Sequence, residues 1–257
     1  MISIAEAFAQ AKGEGRAAII PYLTAGYPSP ESYLQIAKNL LRHADMMEVG
    51  IPFSDPLGDG PTIQKAGEKA LQNGMNFAKT LSLIRELRQE TDKPLLVMTY
   101  INPVISVGPQ DFFGALAKAG VNGVILPDLP PDQDAALVSV ARSTGLDTVF
   151  LIAPTSNDER IRTVTSYTSG FIYLVSVTGV TGARRRLPDL SGLVAAIRRV
   201  SDLPVAIGFG VSSAETAAQA ARQADGVVVG SALLKEIARG GDPEALLEEI
   251  ATAAKVR

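Results

Sequence analysis

Glu48 and Asp59 are the residues of this chain whose type and setting best suit chemistry. They bracket the stretch Glu48-Val-Gly-Ile-Pro-Phe-Ser-Asp-Pro-Leu-Gly-Asp59-Gly-Pro-Thr-Ile-Gln64. Glu48 ends an apolar run that includes Met46 and Met47, and burying an unpaired carboxylate in a strand carries a large desolvation cost. Gly, Pro, Ser and Asp then alternate as far as Asp59, and a helix restarts at Pro61. A plain connecting loop seldom needs so many residues with special backbone freedom or constraint. Read together, the two carboxylates suggest an acid/base pair at the mouth of a barrel. Taken alone, Asp59 reads as a turn residue or an N-cap ahead of Pro61 at N1, and Asp55 in Ser54-Asp-Pro56 has the same ambiguity.

Composition narrows what such a pair could do. The 257 residues are 46% hydrophobic and 20% charged, a globular balance with ample core for one large domain or two small ones. A net charge of -3 gives no field to attract nucleic acid, and Arg184-Arg185-Arg186 is too short to be a DNA arm. The absence of cysteine removes disulfides, thiolate metal sites and a Cys nucleophile, and it fits a cytosolic protein. His43, the one histidine, lies in a segment of helical period and reads as a helix C-terminal cation or a surface residue. One His and no Cys argue against a His-dependent serine triad and against the usual zinc sites. Acid/base work is left to carboxylates, Tyr or Lys, with no metal expected. The chain opens without a signal-type segment, and no apolar run approaches the roughly 18 residues of a membrane span. The expectation is a soluble, cytoplasmic protein with neither nucleic acid nor membrane as partner.

The elements that must position the pair follow from the hydrophobic pattern. Apolar strands are predicted at residues 17–24, 46–50, 94–100, 123–129, 148–153, 171–177, 204–210 and 226–230. Helices are expected at 3–11, 28–43, 61–71, 77–89, 109–118, 132–143, 157–167, 190–200, 214–222, 231–238 and 243–255, with 101–103 read as connection. About eight strand–helix units with near-continuous apolar strands indicate a parallel sheet covered by helices. Their count, the chain length and the lack of a break favour α/β class, one (β/α)8 TIM barrel over residues 1–257, with an extra N-terminal helix and long loops after strands two and six. A dinucleotide-binding sheet would want a Gly-rich turn after strand one, which Ala25-Gly26-Tyr27-Pro28 does not supply. By period two, Met46, Glu48 and Gly50 point to one side of strand two, and Met47 and Val49 to the other. Both faces are apolar in a barrel, so Glu48 is either a buried structural acid or, at the C-terminal end of a barrel strand, a functional one. Position favours the second.

Three glycine clusters suggest a phosphate. Gly208-Phe-Gly210 ends strand seven, Gly230-Ser231 ends strand eight and opens a helix, and Gly179-Val-Thr-Gly182 follows strand six as a possible lid. Each alone would serve an ordinary turn; three together at one end of a barrel make phosphate binding the better reading. A Schiff-base aldol enzyme would need a desolvated Lys at a strand's C-terminal end. Lys93 precedes strand three and Lys235 lies inside a helix, so neither fits. Carboxylate acid/base catalysis on a phosphorylated substrate remains.

The stretch from Glu48 to Gln64 closely resembles the signature of the tryptophan synthase alpha chain family. Pro21-Tyr-Leu-Thr-Ala-Gly26, Gly179-Val-Thr-Gly-Ala183, Gly208-Phe-Gly-Val-Ser-Ser213 and Gly230-Ser-Ala232 are similar to its other motifs, in family order along essentially the whole chain. The resemblance implies retro-aldol cleavage of indole-3-glycerol phosphate to indole and glyceraldehyde 3-phosphate. It also implies a beta-chain partner in an α2β2 assembly, with pyridoxal phosphate (PLP) in that partner and no cofactor in this chain. Glu48 would then protonate indole C3 and help deprotonate the glycerol hydroxyl, Asp59 would accept the indole N–H, and Tyr173 would help hold Glu48. The same matching assigns substrate contacts to Tyr22, Thr24, Met98, Tyr100, Ile125, Leu151 and Phe209. For those expected to wall the indole pocket (Tyr22, Met98, Tyr100, Ile125 and Leu151), plain barrel core is an almost equally good reading singly. Gly182, Gly210, Gly230 and Ser231 would bind phosphate, Thr181 would close over the site, and Pro52, Asp55 and Asn102 would face the partner. Val177, the basic Arg184-Arg185-Arg186, Pro127 and Met98 depart from the family pattern at the lid and the pocket. Two alternatives are a free-standing indole-releasing lyase and a non-catalytic phosphate-binding regulatory subunit; retention of both Glu48 and Asp59 argues against the latter.

Overall fold

The computed structural model describes residues 1–176, 187–208 and 210–255. Among them, nine parallel strands form a nearly closed barrel: β1 (Ala18–Thr24), β2 (Met47–Gly50), β3 (Leu95–Met98), β4 (Gly123–Ile125), β5 (Asp147–Val149), β6 (Leu151–Ile152), β7 (Ile172–Val175), β8 (Val205–Gly208) and β9 (Gly226–Val229). The helices around it are α1 (Ile4–Gly13), α2 (Pro30–Leu41), α3 (Pro61–Gln72), α4 (Phe77–Gln89), α5 (Ile101–Val107), α6 (Pro109–Lys118), α7 (Ala135–Ser143), α8 (Asp158–Tyr167), α9 (Ser191–Arg198), α10 (Ala214–Ala221), α11 (Ser231–Ala238) and α12 (Pro243–Ala253). The strands hydrogen-bond in the order β5-β4-β3-β2-β1-β9-β8-β7-β6. Every residue of β1, β2, β7, β8 and β9 is buried, as the helix-covered parallel sheet requires.

The predicted fifth strand, 148–153, is two pieces. β5 pairs with β4 and β6 pairs with β7, and only Phe150 lies between them. The Phe150 carbonyl accepts the Tyr173 N–H at 3.1 Å. The two ends of the strand order are therefore neighbours in the chain, and one strand position changes partner there as the barrel comes round. Counting the two pieces as one position recovers the expected eight. A second difference is α5, where only a connection was expected. Pro103 sits in its first turn, where a missing N–H costs no helical hydrogen bond. Gly108, at φ 96°, then turns the chain into α6.

Alternation along β2 places Glu48 inward. Met46 packs in a cluster with Ala18, Ile20, Leu96, Val149 and Ala206 inside the barrel, whereas Met47 and Val49 join the layer between strands and helices. The inner cluster also takes Ile4, Ala7, Phe8 and Ala11 of α1, which plugs one end of the barrel. Ser3 caps that helix, accepting the Glu6 N–H while the Glu6 carboxylate accepts the Ser3 N–H. Glycines make room for the plug at the starts of strands: a Cβ on Gly226 would stand 2.8 Å from the Phe8 ring, and one on Gly123 3.1 Å from Ile4 Cδ1. His43 follows α2, its Nε2 3.4 Å from Glu244, away from the interior, in keeping with a surface role.

Candidate active site

Glu48 lies in register between Tyr22 of β1 and Leu96 of β3. It is 1% exposed, and its Oε2 has no hydrogen-bond partner. A buried polar atom left unpaired in a native site has to be explained, and a reacting group held for a ligand is one explanation. Burial, with the charge of Asp59 added to it, pushes the Glu48 carboxyl up to about 8.

Asp59 reaches the same cavity from the loop between β2 and α3. Its N–H donates to the Pro56 carbonyl at 3.0 Å, and its own carbonyl accepts Gln64 Nε2 at 2.9 Å, which ties the loop to α3. The N-cap of α3 is Gly60, not Asp59, so the Asp59 side chain is released from the capping role that its sequence position also allowed. That side chain is buried beside Tyr100, whose hydroxyl accepts the N–H of the neighbouring Gly58 at 3.1 Å and whose ring packs 5.6 Å from Phe53. Burial raises the Asp59 carboxyl to about 6 against the lowering effect of the nearby Tyr100 hydroxyl. Asp59 loses its proton first, beside a neutral Glu48, and its charge then opposes ionisation of Glu48. Between about pH 6 and about pH 8 the pair consists of a protonated Glu48 and an ionised Asp59.

Two tyrosines complete the polar part. Tyr173 on β7 and Tyr22 on β1 are buried, and burial raises both hydroxyls well above their ordinary pKa, with Glu48 the leading charge acting on Tyr173 and Asp59 on Tyr22. Each ring lies over a glycine of the next strand: a Cβ on Gly208 would collide with Tyr173, and one on Gly50 with Tyr22. The Tyr22 hydroxyl lies 3.3 Å from Thr24 Oγ1.

Around these groups is a cavity with about 590 Å³ of space, its open mouth included. Of the residues expected from the sequence, Tyr22, Glu48, Asp59, Met98, Ile125, Leu151, Tyr173, Gly210, Gly230 and Ser231 all line it, and so does Pro127. Thr24 and Tyr100 are not among its walls; Thr24 meets the Tyr22 hydroxyl, and Tyr100 meets the Gly58 N–H beside Asp59. Thr181, Gly182, Phe209 and the whole expected lid, with Val177, Arg184, Arg185 and Arg186, lie outside the described residues. The sequence reading missed Gly58, Ile63, Val211 and Val228 as walls. Ile63 was discoverable as the residue one helical turn beyond Asp59, and Val228 as an inward position of β9. Pro52 is buried within this chain, while Asp55 and Asn102 are exposed at the rim, near the exposed apolar side chains of Leu57 and Ile105.

Gly230 is the N-cap of α11 and offers no side-chain cap; the first N–H bonded back along the helix is that of Leu234, to the Gly230 carbonyl at 3.1 Å. By contrast α10 is closed by its own Ser213, which accepts the Thr216 N–H. Free N–H groups and the positive end of the helix dipole at the cavity wall suit an anion. Gly210 shapes the same wall at φ 87°, where a side chain would be strained.

The sequence profile of the tryptophan synthase alpha chain family matches residues 8–256. A tryptophan synthase alpha chain of Deinococcus radiodurans is 52% identical over 97% of this chain and 93% of its own length, and one from Marinobacter nauticus is 44% identical over 91% and 88%. Among solved structures, a chain of Mycobacterium tuberculosis tryptophan synthase superposes with a TM-score of 0.92 at 38% identity, covering all of both chains.

Proposed function

The chain belongs to the tryptophan synthase alpha chain family, and from that premise we propose that Glu48, Asp59 and Tyr173 carry its reaction. The alpha chain cleaves indole-3-glycerol phosphate, releasing indole and glyceraldehyde 3-phosphate. It carries no cofactor; PLP belongs to the beta chain, the partner that family membership implies.

Indole is a poor carbanion leaving group until its C3 is protonated. Glu48, neutral at physiological pH because it is buried, gives its proton to C3, and the ring nitrogen takes up positive charge. Asp59, ionised at the same pH, accepts the indole N–H and stabilises that charge in a site poor in water. The bond between C3 and the glycerol carbon then breaks; its electron pair returns to the ring and restores indole. The Glu48 carboxylate takes the hydroxyl proton as that carbon becomes the aldehyde, so acid and base roles alternate on one group. Tyr173, seated over Gly208, restrains Glu48. Met98, Ile125 and Leu151, with Tyr22 held by Thr24, enclose the ring, and Tyr100 holds Asp59. Gly210, Gly230 and Ser231 receive the phosphate; the family pattern assigns Gly182 and Phe209 to the same group and Thr181 to covering the site. Residues 1–257 form one barrel domain of a cytoplasmic α2β2 enzyme, with Pro52, Asp55 and Asn102 toward the beta chain. No helix of the described residues is long and apolar enough to cross a membrane, which is compatible with that location.

The observation that carries this reading is the unpartnered Glu48 Oε2, aimed into an apolar cavity that also holds Asp59. The test is steady-state cleavage of indole-3-glycerol phosphate, with and without a beta chain. Glu48→Gln should retain ligand binding and lose turnover by orders of magnitude. Near-normal turnover in that variant would end the mechanism, and a rate indifferent to the beta chain would end the assembly.

A further inference from the structure

We propose that Asp128 is a positioning residue for Asp59, acting through the backbone of Ile101 and the side chain of Tyr100. The proposal rests on the role given above to Asp59. Asp128 stands in the loop after β4, directly behind the cavity wall residue Pro127. Both of its carboxylate oxygens lie 3.1 Å from the Ile101 nitrogen, whose N–H they accept. Ile101 is the first residue of α5, and the N-cap of that helix, Tyr100, supplies no side-chain cap. The cap comes instead from another loop of the barrel, and its negative charge also meets the positive end of the helix.

What this fixes is the peptide that follows Tyr100. Tyr100 lies between β3 and α5, and the peptide that follows it is the one Asp128 fixes. The Tyr100 hydroxyl stands at the far end of its ring, where a small turn of the peptide produces the largest displacement. There it accepts the Gly58 N–H at 3.1 Å, which fixes the backbone one residue before Asp59, and its hydroxyl bears on the Asp59 carboxyl. The linkage runs from the loop after β4, through the start of α5, to the loop after β2. Those two loops have no direct hydrogen bond among the interactions recorded for the described residues.

Loss of the cap should therefore loosen Tyr100 and, with it, both the Gly58 contact that seats Asp59 and the nearby hydroxyl that favours its ionised form. The groups that bear electrostatically on Asp59 are Glu48 from β2, Tyr22 from β1, Tyr173 from β7 and Tyr100 itself; Asp128 acts on Tyr100. Asp128 is exposed, so its replacement leaves the buried core intact. A misplacement of about 1 Å in a catalytic constellation costs roughly 100-fold in rate, which sets the scale.

The experiment compares Asp128→Ala, Asp128→Asn, Tyr100→Phe and Asp128→Ala/Tyr100→Phe in the full chain with its beta chain, recording kcat, KM and the acid limb of kcat/KM. Asp128→Ala should lower kcat by roughly 10- to 100-fold and change KM far less. Its acid limb should move to higher pH, in the direction given by Tyr100→Phe, because Asp59 loses the nearby hydroxyl that favours its ionised form. Asp128→Asn, which keeps an acceptor oxygen, should lie between wild type and Asp128→Ala. The double variant should shift no further than Tyr100→Phe alone. An acid limb of Asp128→Ala that overlays the wild type, while that of Tyr100→Phe moves, would overturn the proposal and leave the reading of Asp59 standing. Full activity in Asp59→Asn would remove that reading and the proposal together.

Discussion

Replacing Glu48 by Gln should make the protein gain stability relative to wild type as the pH rises. In the folded chain the carboxyl is held at about 8, against 4.5 for an ordinary glutamate. Below 4.5 it is protonated in both states and contributes no pH dependence. Between those values the unfolded chain has released its proton and the folded chain has not. Unfolding then releases a proton, and stability falls with rising pH by about 1.4 kcal/mol per unit. The sign is that of a raised folded-state pKa: the contribution is fully present below the unfolded value and is lost as pH climbs to the folded one. Over the whole window the loss amounts to about 5 kcal/mol, a large fraction of the stability of an ordinary domain. Gln has no proton to lose, so its unpaired amide adds an offset that does not change with pH. The titration of Asp59 is shared by both proteins and largely cancels in their difference. Denaturant unfolding of wild type and variant across that window, with the protons released on unfolding counted at neutral pH, measures the effect without any catalysis. A difference that stays constant with pH would mean that folded Glu48 is ionised, and the proton donor of the mechanism would be gone.

The rate of the intact enzyme should show the same pair from the other side. kcat/KM should rise through about pH 6 as Asp59 ionises and fall through about pH 8 as Glu48 loses its proton; a profile flat across this range contradicts the division of roles. Ser231→Asp would place a carboxylate in the first turn of α11, favourable to the helix dipole but repelling phosphate. KM should rise by an order of magnitude or more at nearly unchanged fold stability, and a KM equal to wild type would move the phosphate elsewhere. Gly208→Ala would drive a methyl group into the Tyr173 ring and displace it from Glu48, lowering kcat by roughly 10- to 100-fold while thermal unfolding shifts modestly. Equal kcat would show that Tyr173 is wall only.

The inward face of β2 was legible because a strand alternates. Met46 and Glu48 had to share a side, and only the choice of side was open. The glycines at 208, 210 and 230 were legible because close approaches and positive φ admit few other residues. The split of the fifth strand was not legible. An apolar run has the same pattern whether it keeps one pair of neighbours or exchanges them at Phe150, and barrel closure decides that. The helix at Ile101–Val107 was hidden by Pro103, a helix breaker everywhere except in the first turn. Asp59 shows the deepest limit. Its sequence neighbours make it a turn residue, and its assignment to the cavity depends on Tyr100, which reaches the same place by way of another strand.

The proton on Glu48 is a property of the whole barrel interior. A carboxyl inside a barrel strand would ionise near its ordinary pKa if water reached it from below, and α1 stands where that water would enter. Phe8 of the plug lies 5.5 Å from Phe171, and Phe171 lies 6.2 Å from Tyr173, an aromatic column that runs from the closed end to the residue beside Glu48. Met46, Ile20, Leu96 and Val149 fill the same interior with apolar side chains. The space is filled so closely that Gly123 and Gly226 cannot carry a side chain without pressing on Ile4 or Phe8. Desolvation is the leading cause of the raised Glu48 pKa, and these residues produce it without touching a substrate. Asp59 differs because its loop lies at the open end, where less burial and the nearby Tyr100 hydroxyl keep it ionised at the pH where Glu48 is not. The same kind of side chain at two depths of one barrel thus becomes an acid and a counterion, and depth is set by the plug below and the loop above.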